Sequence, residues 1–363
     1  MRLLRLLILL AAIGPLLTNA QTPSQDSLPG LSLSESSSSD SLYKSIFCFF
    51  QQDSLPKLTI EADFRTLIRK KFSDNYQPAT LAFSVNGLDY KEQIELRLRG
   101  KSRRRICIFP PLKLKFPETL LDSLGLDSHF NTLKLVTHCQ NSVINEHLIL
   151  REYLAYRLYN QLTDKSFRVQ LVEITYVDTG RKGKSLKRYG FLIENKHELA
   201  ERLGGEIYEK EGFSRRKIGT QPLNQLAMFQ YMIGNTDWQI KYQHNIKIIH
   251  SRKDSQFVAV PYDFDYAGLI DAYYAQPNKN YPIKTIKDRI FMGGCRPSHI
   301  HRETIDFYTE RQAALLEVIQ PFEYLGRKPK QAMLHYLKDF FNTLRKPEKA
   351  IVELNWQCPG RIK

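Results

Sequence analysis

The sequence predicts a two-lobed α+β protein, an N-terminal antiparallel sheet with one long helix followed by a helix-rich C-terminal lobe. Three features point that way. Short alternating runs dominate from Leu58 to Cys139, and period-two alternation is the mark of a half-buried strand. A long stretch from Asn141 to Leu162 then repeats its apolar residues near the helical period. Beyond Gln221 the spacing is mostly helical, as in "QPLNQLAMFQYMIG" and "KPKQAMLHYLKDFFNTL".

Taken in order, residues 1–20 carry Arg2 and Arg5, an apolar run broken at Gly14-Pro15, and small residues before Gln21. This is the pattern of a secretory signal peptide cleaved after Ala20. The uninterrupted apolar run is roughly a dozen residues, short of the ~20 that span a bilayer. No later stretch is apolar enough to cross a membrane, so a secreted or periplasmic location is expected. Residues 21–45 are Ser-rich with few apolar side chains, the composition of a disordered lead-in.

Residues 46–195 form the expected sheet-rich lobe, with strands at "LTIEADF", "ATLAFSVNG", "EQIELRLRG", "PLKLKF", "TLKLVTHC", "FRVQLVEITYV" and "RYGFLIEN". The long helix places Leu148, Arg151, Ala155, Leu158 and Leu162 along its length, with Asn141 or Ser142 as cap. Residues 196–363 form the expected helical lobe.

The formal net charge of +15 becomes +13 once Arg2 and Arg5 are removed (15 − 2 = 13). A basic balance favours anionic partners in general: nucleotides, envelope polymers or acidic protein segments. The basic residues cluster only at "RGKSRRR" and "EGFSRRK", without a zinc-finger or RNA-recognition signature, which argues against nucleic acid. Five cysteines, Cys48, Cys107, Cys139, Cys295 and Cys358, contain no C-x-x-C pair. That spacing speaks against structural zinc and allows one or two disulfides, with at least one thiol left over.

Within the C-terminal half, "NIKIIH" and "FVAVPYD" flank the polar turn "SRKDSQ", predicting a β-hairpin. Its two ends bring Asn245 beside Asp263, and Asp237 lies just upstream at the end of a helix. In a phosphotransferase loop one Asp orients or deprotonates the acceptor hydroxyl, while an Asn and a second Asp hold Mg²⁺ on the phosphates. Asp237 is therefore the candidate base, Asn245 and Asp263 are candidate metal ligands, and Asp265, two residues on, is a further one. Turn and cap roles are the ordinary alternative for these residue types. In the first half, Lys113 and Lys115 share a strand face, and Glu146 and Glu152 lie on the long helix. A sheet lysine oriented by a helix glutamate is how such enzymes hold the α- and β-phosphates.

The segments "RLRGKSRRR…FPPLKLKF", "LREYLAYRLYNQLTDKSFRVQLVEI", "RYGFLIE" and "GNTDW…HNI…VPYDFD", spanning roughly residues 58 to 270, resemble in order the motifs of the CotH family of spore-coat atypical protein kinases and related exported bacterial proteins. The resemblance implies an atypical protein-kinase-like fold and ATP-dependent, Mg²⁺- or Mn²⁺-assisted phosphorylation of Ser or Thr in a protein. It implies Lys115, with Lys113, Arg99 and Glu152, for phosphate binding, Asp237 as base, Asn245 and Asp263 on the metal, and Glu194 near a hinge. Lys101 departs from the small polar residue the family shows after Arg-Gly. Two other classes stay open: a catalytically inactive kinase-like binding or scaffold protein for an acidic envelope component, and a metal-dependent hydrolase using Asp237, Asp263 and Asp265.

Overall fold

A computed structural model describes residues 44–140 and 142–358. The expected signal peptide and all of the Ser-rich lead-in up to residue 43 lie outside the described residues. The last residue of that lead-in, Ser45, is buried and accepts a hydrogen bond from Cys48 N–H, capping the first helix.

Seven strands, β1 (Lys57–Ala62), β2 (Gln77–Val85), β3 (Leu88–Leu98), β4 (Leu112–Lys115), β5 (Thr132–Val136), β6 (Val169–Asp178) and β7 (Lys184–Ile193), close into a barrel in the order β1-β2-β3-β4-β5-β7-β6. All neighbours are antiparallel except at the seam, where β1 and β6 run parallel with Leu58 opposite Ile174 and Ile60 opposite Tyr176. This overturns the expected two-lobed kinase-like fold built on an open antiparallel sheet. The alternation in each strand reports which face is buried but not whether the outer strands meet. Here they do, and closure removes both exposed edges.

Leu58, Ile60, Leu81, Leu96, Leu114 and Ile174 fill the barrel at 3% exposure or less. Each such side chain contributes about 1.5–3 kcal/mol on burial. Of four short helices, α1 (Ile46–Phe50) precedes β1, while α2 (Phe64–Arg69), α3 (Arg103–Ile106) and α4 (Glu118–Ser123) sit between strands, and α1 delivers Ile46, Phe47 and Phe50 to the barrel cluster.

The long helix α5 (Val143–Leu162) packs outside the barrel on β6 and β7. Its opposite side enters a second core shared with the C-terminal half, where Leu154, Leu158, Phe229 and Phe264 are all buried. That half holds α6 (Lys196–Arg202), β8 (Gly205–Ile207), α7 (Thr220–Ile233), β9 (Ile246–Ser251), β10 (Phe257–Pro261), α8 (Ser298–Glu310), α9 (Gln312–Ile319), α10 (Arg327–Leu344) and α11 (Pro347–Leu354). The anticipated hairpin is β9–β10, and β8 adds a third strand to it. Residues 262–297 run without helix or strand yet bury Phe264, Leu269, Ile270 and Phe291.

Disulfides join Cys107 to Cys139 and Cys295 to Cys358, leaving Cys48 as a thiol. Among the described residues no helix is long and apolar enough to cross a membrane.

Candidate active site

A cleft of about 320 Å³ lies where the outer barrel wall meets α5 and the β9–β10 hairpin. Its walls divide by charge. Arg99 and Lys134 come from the barrel side, while Asp237, Asn245, Asp263 and Asp265 come from the C-terminal half.

The acidic wall begins at the end of α7. Gly234 takes the left-handed conformation (φ 66°) that closes the helix, and a side chain there would collide with the Tyr336 hydroxyl. Asn235, 1% exposed, accepts the Asp237 N–H through its side-chain oxygen at 2.9 Å and so sets the loop. Asn245 Nδ2 donates to the Asp237 carbonyl at 2.8 Å and to Asp237 Oδ2 at 2.9 Å. His244 Nε2 lies 2.8 Å from Asp237 Oδ1. The Asp237 carboxylate is thus oriented from two sides while remaining half-exposed.

Asn245 and Asp263 both have positive φ, 51° and 62°. Asn and Asp tolerate this region better than other side-chain-bearing residues, and such outliers gather at functional sites. They face each other across the open end of the hairpin, where Tyr262 N–H donates to the Asn245 carbonyl. Asp263 N–H donates to the Tyr156 hydroxyl of α5 at 2.8 Å.

Below them Arg103 is 8% exposed, turned inward from the "RGKSRRR" stretch. Gly100, at φ 86°, lets the chain leave β3 and wind into α3. The Arg103 guanidinium donates to Glu152 at 2.6 Å and to Asp265 at 3.2 Å, and stands 3.6 Å from Asp263. Tyr274 OH donates to Asp265 at 3.0 Å. One guanidinium therefore reaches three carboxylates within 3.6 Å. Burial pushes the Glu152 and Asp265 carboxyls upward, Arg103 opposing and the neighbouring carboxylates adding to the shift.

The basic wall shows the complementary imbalance. Burial lowers Arg99, the attraction of Asp263 opposing it and Arg103 adding to it. Lys134 falls from its ordinary 10.5 to about 7, through burial and the neighbouring charges of Arg99 and Lys247. Lys247 is lowered too, again by burial. Cations held down in this way are stabilised by an anion placed among them.

Among the residues expected from sequence, Asp237, Asn245, Asp263, Asp265, Glu152 and Arg99 come together in this cleft. Lys115 does not. It pairs with Glu95 at 2.8 Å on the barrel's outer surface and lies over Tyr76. Lys113 lies opposite Lys134 in the β4–β5 ladder but does not line the cleft. The strand lysine of the cleft, Lys134, is one strand further on, and its sequence cue is the same alternation, "TLKLV". Glu194 is also elsewhere: fully buried, it accepts hydrogen bonds from Arg168 and Arg202. Arg103, His244 and Tyr156 were missed, Arg103 because nothing in a run of arginines marks the buried one.

The chain matches no protein-family model, and no curated protein matches it.

Proposed function

We propose that the cleft binds ATP with a divalent cation, Mg²⁺ or Mn²⁺, and passes its terminal phosphoryl group to a Ser or Thr hydroxyl of a protein. The observation carrying this reading is the pairing, in one cleft, of cations short of anions with carboxylates short of cations. A polyphosphate chelating a divalent metal supplies both missing partners at once. Val136, Phe167 and Ile193 add apolar lining, and small-molecule sites combine such surface with a few placed polar groups. The order of segments resembling the CotH family supports the same chemistry.

Among the described residues no three His, Cys, Asp or Glu side chains form a ready-made metal cage. Mg²⁺ nevertheless fits, because it is usually held by one or two carboxylates together with substrate phosphates. Asp263 and Asn245 would hold it; Asp265 is engaged by Arg103 and Tyr274, and the same guanidinium stands 3.6 Å from Asp263. When bound, the ion draws in the phosphate oxygens and balances their charge. Arg99 and Lys134 bind and orient the phosphates. Asp237, fixed by His244 and Asn245, accepts the proton of the attacking hydroxyl. We further propose an extracytoplasmic location, which the two disulfides support.

The direct test incubates the full chain with γ-labelled ATP and Mg²⁺ or Mn²⁺ plus a generic protein acceptor. Label is expected on protein. Release of free phosphate alone would favour the hydrolase reading. No nucleotide binding under any metal condition would end the phosphotransferase reading and leave a scaffold that holds anionic partners.

Lys134 supplies a further expectation. Lys134→Met should weaken nucleotide binding about tenfold or more, the worth of one charge-assisted hydrogen bond, whereas Lys115→Met should change it less than about twofold, as expected for an exposed pair. Because the free-state Lys134 pKa is about 7, bound phosphates should restore its proton. Titration calorimetry at pH 8.5, in buffers of different ionisation enthalpy, should show net proton uptake that fades below pH 6. Equal uptake by Lys134→Met would refute the assignment.

A further inference from the structure

A second pocket, of about 410 Å³, is lined by the same loop that carries Asp237 and His244 into the cleft. Asp237 and His244 line the cleft, while four of the residues between them, Trp238 to Lys241, line this pocket. The Gln239–His244 backbone bridge and the hydrogen bond from Phe213 N–H to the Lys241 carbonyl hold the shared loop in place. Phe213, Tyr281 and Met292 complete an apolar and aromatic surface.

The rim is basic and lacks acid partners. "EGFSRRK", the second basic cluster of the sequence, places Ser214 and Arg215 on the pocket, with Arg216 and Lys217 next in the chain. Among the described residues no carboxylate pairs with Arg215, Arg216, Lys241 or Arg296. The Arg215 guanidinium donates to the Gly293 carbonyl. Burial and the nearby Arg296 charge both push Arg215 down.

We propose that this pocket docks an acidic stretch of the acceptor protein, so that a neighbouring Ser or Thr is presented to Asp237 on the other side of the shared loop. Docking itself stands independently of the phosphotransferase reading; the transfer step after it rests on that reading. The charge pattern chooses the occupant. The Arg215 guanidinium, which has no carboxylate partner among the described residues, matches a carboxylate in a fork geometry, and the aromatic floor accepts the chain beside it. In the transfer step, the acceptor oxygen forms a bond to the terminal phosphorus, the bond from that phosphorus to the bridging oxygen breaks, ADP departs with that electron pair, and the hydroxyl proton goes to Asp237.

The test uses the full chain and a dye-labelled peptide of alternating Glu and Ser, read by fluorescence anisotropy without nucleotide. A Gln-Ser peptide and a single-stranded oligonucleotide of matched charge serve as comparisons. The Glu-Ser peptide is expected to bind, the Gln-Ser peptide not, and Arg215→Glu/Lys241→Glu should weaken binding about tenfold or more. Thermal melting checks the fold of the variant; should it not fold, exposed Lys241→Glu alone carries the comparison. Equal affinity in the variant, or tighter oligonucleotide binding with the same residue dependence, overturns the proposal. Peptide docking with this pattern in a protein that binds no nucleotide would remove the phosphotransferase reading and keep the pocket. Transfer to the Glu-Ser peptide at equal rates in both proteins would do the reverse.

Discussion

Arg103→Met is expected to cost about 3–5 kcal/mol of folding stability at pH 8, the usual consequence of removing one member of a buried ion pair. The reason is what stays behind. Glu152, 2% exposed, loses the guanidinium at 2.6 Å, and Asp265, 6% exposed, loses its only cation within ion-pair distance among the described residues. The methionine fills similar volume, so lost packing is a minor part of the effect.

The pH dependence follows from the direction of the two carboxyl shifts. In the native protein both are raised by burial, so the unfolded chain releases these protons at lower pH than the folded one. The contribution of the two groups to stability is then fully present below the ordinary carboxylate range, and falls as pH rises through their raised folded values. Removing Arg103 takes away the attraction that opposes the shift, which steepens this fall. The deficit of Arg103→Met should therefore shrink at pH 5, where both carboxyls can hold protons. Urea unfolding at pH 5 and pH 8 measures it, with the exposed Arg105→Met as a reference expected within about 0.5 kcal/mol of wild type. A deficit equal at both pH values would mean that the acid cluster is not what Arg103 stabilises.

Arg103 also marks the limit of what the sequence makes legible. The hairpin, and with it the approach of Asn245 to Asp263, follows from local period-two runs around one polar turn. Asp237 follows as locally from the end of α7. Barrel closure does not, since β1 and β6 meet across more than a hundred residues, and either strand alone reads as the edge of an open sheet. Arg103 and Asp265 are 162 positions apart, so no pattern within "RGKSRRR" singles out the arginine that turns inward. Lys115 and Lys134 look alike for a related reason. Both alternate with buried leucines, and only the order of strands around the barrel decides which one faces the hairpin.

The hairpin carboxylate and the loop carboxylate should fail in different ways. Asp263→Asn is the informative change, because Asn tolerates the left-handed backbone at φ 62° whereas Ala would add strain of about 1 kcal/mol or more. The variant keeps shape and removes charge. Two neutral amides, the one introduced by the substitution and that of Asn245, cannot offset a divalent ion, so the metal-dependent part of nucleotide binding should disappear. Asp237→Asn leaves Asp263 and the basic wall intact, so ATP affinity with Mg²⁺ should stay within about threefold of wild type. Transfer should nevertheless fall about a hundredfold or more, the range for loss of a positioned base. Calorimetric titration of ATP with and without Mg²⁺, paired with label transfer on the same preparations, separates the two. If Asp237→Asn loses the metal dependence and Asp263→Asn keeps it, the roles are reversed; if both variants transfer phosphate like wild type, neither carboxylate serves the reaction and the cleft only binds.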